Sequence, residues 1–248
     1  MKKISGRKRV SSRAESKIEI GGLQKTTLID YPGRLAATVF LIGCNFRCPF
    51  CYSAELVLPG KIKNQPRTSQ KDFFSFLRER KGLLEAITVC GGEPSFNKDL
   101  PVFIRKIKKL GYLVKLDTNG SNPEMLKKLI KEKLVDYVAM DIKAPRENYE
   151  KVAGKGINIE DIEKSIEILK QNKVDYEFRT TMVPTIHSKG DIIKIAKWIG
   201  PAKRYYLQNF RPEKTIDSDF EKIKPYPKEL LLDIKDEISR FFEVCEIR

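Results

Sequence analysis

The sequence predicts an α/β protein whose strands form a partial, open (β/α)6 barrel. Apolar, β-branched segments of strand length alternate with longer segments whose apolar residues recur at helical spacing, and six such strand–helix pairs follow one another. Strands separated by helices of ten or more residues pair in parallel through right-handed crossovers. Six units are fewer than the eight that close a barrel, so we expect a sheet that stays open on one side.

The six predicted strands are segments of six to eleven residues. The first is mostly apolar and partly β-branched, which is typical of a parallel strand that is covered on both faces. The strands are RLAATVFLI (34–42), EAITVC (85–90), YLVKLDTNG (112–120), LVDYVAMDIK (134–143), VDYEFRTTMVP (174–184) and KRYYLQNF (203–210).

The six predicted helices follow these strands in turn. Gly111 suits the end of the second helix, and Asn122 followed by Pro123 suits the beginning of the third. The helices are SQKDFFSFLRERKGLL (69–84), DLPVFIRKIKKLG (99–111), NPEMLKKLIKEK (122–133), IEDIEKSIEILKQN (159–172), KGDIIKIAKWIG (189–200) and KELLLDIKDEISRFF (228–242).

Composition indicates a cytoplasmic protein without a membrane segment. The longest apolar run, 35–42, has the length of a strand and is far too short to span a bilayer. The N-terminal residues lack the apolar stretch of a secretory signal. In a reducing compartment, cysteines at short spacing are more often metal ligands than disulfides.

The chain is strongly basic, with 48 Lys and Arg against 33 Asp and Glu. Residues 1–17 hold seven basic side chains and one acid, without periodicity, and we expect them to be a disordered arm. Residues 18–248 are predicted to form one domain that includes the C-terminal helix. Many lysines fall on the polar faces of predicted helices without interleaved aromatic residues, a pattern that does not indicate a nucleic-acid partner.

A polar motif follows each of the first five predicted strands. The cysteine-rich segment GCNFRCPFCYS (43–53) follows the first, and GGEP, DTNG, DIK and PTIH follow the next four in order. The carboxyl ends of parallel strands meet at one edge of a sheet, where such folds place their chemistry. The five motifs are therefore predicted to surround one cavity.

Cys44, Cys48 and Cys51 lie within eight positions, and no fourth cysteine is near them. Three thiolates can hold a four-iron cluster and leave one iron open to another ligand. Catalytic zinc also uses three protein ligands, but a zinc site calls for imidazole or carboxylate nearby, and the one histidine follows the fifth strand. We expect iron–sulfur chemistry here, with Cys90 and Cys245 outside the ligand set.

The C-x3-C-x2-C spacing, the aromatic Phe50 before the last cysteine and GGEP after the next strand resemble the radical S-adenosylmethionine (SAM) superfamily. The stretch GGLQKTTLIDYPGRLAATVFLIGCNFRCPFC further resembles the activating proteins of glycyl-radical enzymes. It is most similar to the long form that activates anaerobic ribonucleoside-triphosphate reductase, a relative of pyruvate formate-lyase activating enzyme. The resemblance covers most of residues 18–210 and implies the radical SAM type of open barrel.

The resemblance implies one [4Fe-4S] cluster, with Cys44, Cys48 and Cys51 as ligands of three irons. SAM would chelate the fourth iron, and an electron passing through the cluster would cleave SAM to methionine and a 5′-deoxyadenosyl radical. Because no second cysteine-rich segment is present, the electron would come from an external donor such as flavodoxin or ferredoxin.

The resemblance also implies contacts to SAM from the first two motifs. Phe50 would lie near the adenine. Gly91 and Gly92, which carry no Cβ, would let the backbone approach the ligand, and the edge formed by Gly92 and Glu93 would accept hydrogen bonds from the methionyl ammonium. Tyr52, directly after the last cysteine, departs from the family, where histidine is common.

At the third and fourth strand ends, the resemblance implies a monovalent cation beside the cofactor. Its ligands would be Asp117, Thr118, the Met140 carbonyl and Asp141, and the two aspartates would also belong to the cofactor site. Lys143 would face the carboxylate of SAM. In the fifth motif, His187 loosely matches a family histidine and is also predicted to bind the cofactor.

The predicted function is that of a radical SAM activase, which generates a glycyl radical on a partner enzyme. The predicted partner is anaerobic ribonucleoside-triphosphate reductase. The alternatives are activation of a pyruvate formate-lyase-like enzyme and radical chemistry on a small molecule such as a deazapurine precursor. A non-catalytic iron–sulfur or RNA-binding module is disfavoured, because it has no need of GGEP, DTNG and DIK around a cofactor-shaped cavity.

Overall fold

The computed structural model describes residues 16–248, so the predicted basic arm lies outside the described residues except for its last two. One eight-stranded sheet runs through this part of the chain, and its strands are β1 (Ile20–Thr27), β2 (Ala36–Leu41), β3 (Ala86–Gly91), β4 (Leu113–Thr118), β5 (Tyr137–Asp141), β6 (Asp175–Met182), β7 (Ala202–Asn209) and β8 (Phe242–Ile247). Spatial order equals chain order from β1 to β8.

Helices connect the strands. They are α1 (Ala54–Val57), α2 (Pro59–Ile62), α3 (Gln70–Glu79), α4 (Leu100–Lys109), α5 (Pro123–Lys131), α6 (Tyr149–Ala153), α7 (Ile159–Lys170), α8 (Lys189–Ile199) and α9 (Lys228–Ile238). Strands β2 to β8 are parallel, and β1 is antiparallel to β2. The edges β1 and β8 do not pair with each other, so the sheet is open. The predicted six strand–helix units and the open α/β fold are confirmed.

Two edge strands were not predicted from the sequence. Strand β1 reads IGGLQKTT, and its two glycines and exposed polar residues conceal the strand pattern. The last predicted helix was too long, because α9 ends at Ile238 and Phe242 already begins β8. Strand β8 has only six residues, of which three are exposed, and it is held by pairing with β7. Edge strands carry weak local signals because only one neighbour and one covered face define them.

The core lies between the sheet and the apolar faces of the helices. Strands β2 and β3 are buried over most of their length. Phe73 of α3 stacks on Phe103 of α4 with ring centroids 5.4 Å apart. Two predicted helix limits are confirmed: the side chain of Asn122 accepts a hydrogen bond from the Met125 N–H at the start of α5, and Gly111 adopts φ +94° after α4.

The register of the parallel strands brings their carboxyl ends level. Leu41 pairs with Gly91, Thr118 with Met140, and Asp141 with Arg179. The motifs that follow β2 to β6 therefore lie at one edge of the sheet, as predicted. Within residues 16–248, no helix is long and apolar enough to cross a membrane.

Candidate active site

A cavity of about 300 Å³ lies at the carboxyl ends of the parallel strands. It contains the predicted site residues from the first four motifs, except Met140, and excludes His187. The predicted residues that line it are Cys44, Cys48, Phe50, Cys51, Gly91, Gly92, Glu93, Asp117, Thr118, Asp141 and Lys143.

The cysteine loop, residues 43–53, joins β2 to α1 and presents three free thiols to the cavity. The Phe46 N–H donates to Cys44 Sγ at 3.3 Å, and the Cys51 N–H donates to the Cys48 carbonyl at 3.2 Å. Burial raises the pKa of the Cys44 thiol to about 12 and that of Cys48 to about 11. The thiols are therefore neutral at pH 7, and a metal must displace their protons when it binds.

The donor set of this loop fits an iron–sulfur cluster, because thiolates are the usual ligands of such clusters and all three line one cavity. Within residues 16–248, no three His, Cys, Asp or Glu side chains are placed to hold one metal ion. A catalytic zinc ion would need its ligands to meet at one point. In a four-iron cluster each thiolate binds a different iron, so the sulfur atoms need not converge in that way.

Residues 210–227, here called the strap, leave the end of β7 and cross the cysteine loop. The Ile216 N–H donates to the Cys51 carbonyl at 3.0 Å, and the Asp217 N–H donates to the Pro49 carbonyl at 3.0 Å. Two backbone hydrogen bonds therefore hold the loop near its last cysteine. The strap carries no sequence motif and is more than 150 residues from the cysteine loop along the chain, so its contact with the loop could not be predicted from the sequence.

The two glycines of GGEP lie against the end of β2. A Cβ on Gly91 would come within 2.3 Å of the Leu41 backbone nitrogen, and one on Gly92 within 2.2 Å of the Gly43 carbonyl oxygen. Gly91 also adopts φ +124°, which other residues rarely adopt. Close contact between the ends of β2 and β3 thus requires both glycines. Both also line the cavity, and their approach to a ligand stays a prediction.

The buried Glu93 side chain links the ends of β3 and β4. Its Oε1 accepts hydrogen bonds from the Ser95 hydroxyl at 2.5 Å and the Thr118 hydroxyl at 2.7 Å, and its Oε2 accepts from the Asn119 N–H at 2.6 Å. Burial raises the pKa of Glu93, and these hydrogen bonds oppose the shift. Glu93 thereby fixes DTNG relative to GGEP, and its contact with the methionyl ammonium stays a prediction.

Asp117, Asp141 and Lys143 lie beside Arg179 of β6. The Arg179 Nε donates to Asp141 at 2.8 Å and its Nη1 to Asp117 at 3.0 Å, while Lys143 Nζ donates to Asp141 at 3.0 Å. Burial alone would raise the pKa of both carboxyls, but Arg179 and the neighbouring lysine together outweigh it and hold each pKa below its ordinary value. Burial alone would lower the pKa of Lys143, but the neighbouring acidic groups, with Asp141 foremost, together raise that pKa. All four groups are charged at neutral pH.

The three side chains predicted to bind a monovalent cation are engaged with other groups of the chain. The Arg179 guanidinium lies between the carboxylates of Asp117 and Asp141. The Thr118 hydroxyl donates to Glu93, and the fully buried Met140 is outside the lining of the cavity. Cation binding by these residues stays a prediction.

His187, predicted to bind the cofactor, has both ring nitrogens within hydrogen-bond distance of backbone groups. Its Nδ1 accepts from the Val183 N–H at 3.0 Å, so its Nε2 carries the proton and donates to the Lys143 carbonyl at 2.8 Å. Burial lowers the pKa of His187, consistent with a neutral ring. Neither ring nitrogen is left for a ligand. The ring lies edge-on to Phe50 at 6.4 Å, and His187 thus positions Lys143 and Phe50 from behind the cavity.

Arg179 was missed from the sequence, although a signal was present. Lys115 and Asp117 alternate along β4, and Glu177 and Arg179 alternate along β6, so each pair points to one face of an otherwise buried strand. Charged residues at alternate positions of a buried strand indicate a polar interior. Cys90, which the sequence placed outside the ligand set, also lines the cavity.

The chain is similar to known proteins of one superfamily. Residues 38–199 match the family described as the Radical SAM superfamily. The chain is 37% identical over 217 residues to a Methanocaldococcus jannaschii protein named "Putative glycyl-radical enzyme activating enzyme", covering 85% of this chain and 87% of the relative. It is 27% identical over 156 residues to 7-carboxy-7-deazaguanine synthase of Thermococcus kodakarensis, covering 56% of this chain and 60% of that protein.

Among solved structures, SuiB of Streptococcus suis bound to S-adenosylmethionine superposes with a TM-score of 0.60 at 17% identity. The superposition covers 83% of this chain and 48% of SuiB, so the chain spans about half the length of that protein. This similarity supports the fold. The family match covers more than half of the chain and includes the cysteine loop and GGEP. It implies a [4Fe-4S] cluster and SAM as cofactors, and the chain belongs to the radical SAM superfamily as one of its enzymes.

Proposed function

We propose that this enzyme generates a glycyl radical on a partner enzyme and that the partner is an anaerobic ribonucleoside-triphosphate reductase. The observation that carries the proposal is the 37% identity to a named activating enzyme across most of both chains. The segment GGLQKTTLIDYPGRLAATVF (21–40), which leads into the cysteine loop, supports the reductase as partner through its resemblance to the reductase-activating family.

Different residues of the cavity would hold the cluster and SAM. Cys44, Cys48 and Cys51 would hold the cluster, and Lys143 would place a positive charge opposite the carboxylate of SAM. When bound and reduced by a donor such as flavodoxin or ferredoxin, these cofactors supply a 5′-deoxyadenosyl radical that can remove a hydrogen atom. The role of the chain is then to hold SAM in place and to admit the target atom.

The mouth of the cavity suits a protein loop. The side chains of Asp141 and Lys143 are 26% and 19% exposed, so solvent reaches the charged wall. Tyr52, which lines the cavity, is 38% exposed, and Phe96, which lies beside the start of the cysteine loop, is 58% exposed. Exposed aromatic side chains favour protein contacts. A glycine Cα has no side chain to block its entry into so small a cavity.

The test is anaerobic incubation of the reconstituted enzyme with an electron donor, SAM and the cognate reductase. We expect a glycyl-radical EPR doublet on the reductase, with about one 5′-deoxyadenosine formed per radical, because one hydrogen atom is transferred for each SAM cleaved. The matched control is the Cys48→Ala enzyme, which should give no doublet. Cleavage of SAM without a doublet on the reductase would contradict the proposed partner.

A second candidate function is radical chemistry on a small molecule. It is favoured by the similarity to 7-carboxy-7-deazaguanine synthase, which is weaker and covers 56% of this chain. A pyruvate formate-lyase-like enzyme should be included in the same EPR assay as an alternative partner. If no glycyl-radical enzyme gives a doublet while a deazapurine precursor stimulates SAM cleavage, the second candidate replaces the first.

A further inference from the structure

Five charged side chains form a row of ion pairs, and four of them line the cavity while Lys115 lies behind it. Strand β4 supplies Lys115 and Asp117, β6 supplies Arg179, and Asp141 and Lys143 come from the end of β5 and the residues after it. Followed from contact to contact, the order is Lys115, Asp117, Arg179, Asp141, Lys143, so positive and negative charges alternate. Arg179 is the central member, and it reaches across β5 to join two carboxylates that belong to different strands.

All four carboxylate oxygens of this row bond to cations of the chain itself. In Asp117, one oxygen pairs with Lys115 Nζ and the other accepts from Arg179 Nη1 at 3.0 Å. In Asp141, one oxygen accepts from Arg179 Nε at 2.8 Å and the other from Lys143 Nζ at 3.0 Å. A hard cation needs several oxygen ligands, and every oxygen of these two carboxylates already has a charged donor of the chain beside it.

Arg179 carries the same single positive charge as a sodium or potassium ion. Two neighbouring carboxylates that are largely buried repel each other unless a cation lies between them. The side chains of Arg179 and Asp117 are only 12% and 13% exposed, so this pairing is weakly screened by solvent. The planar guanidinium also fixes the direction of each carboxylate, which a spherical ion cannot do.

We propose that the guanidinium of Arg179 replaces a monovalent cation in this enzyme and holds Asp117 and Asp141 so that Lys143 faces the carboxylate of SAM. Lys143 and Arg179 bond to the two different oxygens of the Asp141 carboxylate. Because Arg179 fixes the direction of that carboxylate, it also fixes the position of Lys143. Arg179 is thus a positioning residue. The proposal rests on membership of the radical SAM superfamily and does not depend on which partner the enzyme activates.

The experiment measures the Kd of SAM by anaerobic calorimetry on the reconstituted enzyme. Potassium, sodium and tetramethylammonium chloride are compared at equal ionic strength. The wild-type Kd should be the same in all three salts, because no small cation takes part in binding. For Arg179→Ala we expect roughly tenfold weaker binding in tetramethylammonium. Potassium or sodium should restore part of the affinity, since a small ion can enter the space left between the carboxylates.

Arg204→Ala is the matched control, because this arginine of β7 bonds to Asp175 and lies outside the cavity. Its Kd should equal that of the wild type in every salt. A second readout is the melting temperature. Potassium, compared with tetramethylammonium, should raise it for Arg179→Ala and leave it unchanged for the wild type and the control.

The proposal is overturned if the wild-type Kd changes with the identity of the cation. It is also overturned if Arg179→Ala binds SAM as tightly as the wild type in tetramethylammonium. Should Arg179→Ala fail to fold, the wild-type salt series still decides the question. Arg179→Lys gives a further test, because it keeps the charge and should bind SAM more weakly than the wild type but equally in all three salts.

Discussion

The two halves of the cavity differ in how their polar groups are satisfied. In the cysteine loop, residues 43–53, three neutral thiols lack side-chain partners, and the backbone is held by the strap. At the ends of β4 to β6, the charged side chains are ionised and paired with one another. The thiols of the cysteine half can be satisfied only by a metal centre from outside the chain. In the charged half, each side chain already has an oppositely charged partner within the chain.

This difference indicates separate tasks and separate sensitivities. Thiolates that bind a cluster act together, so the loss of one removes the ligand set. The charged half is a row of salt bridges, in which removal of one member weakens its neighbours but leaves the others in place. Substitutions in the charged half should therefore lower SAM affinity without changing iron content, whereas substitutions in the cysteine half should remove the iron.

The largest effect is expected in the cysteine half. Cys44→Ala, Cys48→Ala or Cys51→Ala should each abolish the cluster, while the wild type should bind roughly four irons after anaerobic reconstitution. Iron analysis and the visible absorption spectrum measure this. Cys90→Ala and Cys245→Ala are the controls and should retain full iron content. Stoichiometric zinc in the wild type, or iron loss in either control, would show that the ligands are misassigned.

A smaller effect is expected in the charged half. Asp141→Asn or Lys143→Met should weaken SAM binding about tenfold or more, because a group that holds or faces the cofactor is lost. Iron content should stay at the wild-type value, since neither residue is a cluster ligand. Calorimetry and iron analysis on the same samples separate the two properties. Loss of iron in these variants would show that the halves are coupled, and unchanged affinity would make both residues purely structural.

The smallest effect is expected at the strap. Ile216→Pro removes the N–H that donates to the Cys51 carbonyl. A hydrogen bond of this kind contributes about 1 kcal/mol, which corresponds to roughly fivefold faster loss of iron to a chelator. Ile216→Ala keeps the N–H and is the matched control. Equal rates of iron loss in the two variants would mean that the strap does not hold the cysteine loop.

Much of the fold and of the site could be predicted from the sequence because the signals are local. The strand–helix alternation repeats along the chain, and the cysteines lie in one short loop. The motifs at the ends of β3, β4 and β5 are each a few residues long, and the rule that parallel strand ends converge was enough to bring them together. The edge strands were missed because their patterns are weak without the neighbour that pairs with them.

The tertiary structure decided which side chains are partners. Asp117 and Arg179 are 62 residues apart, and only the register of β4, β5 and β6 brings the guanidinium between two carboxylates. His187 was correctly recognised as lying after a strand, but its ring nitrogens meet backbone groups and not the cavity. In a parallel sheet, lateral neighbours are separated in sequence by a whole crossover helix. The sequence alone therefore determined the chemical groups at the strand ends, and strand register and packing determined which of them pair with each other and which stay free to bind the cofactors.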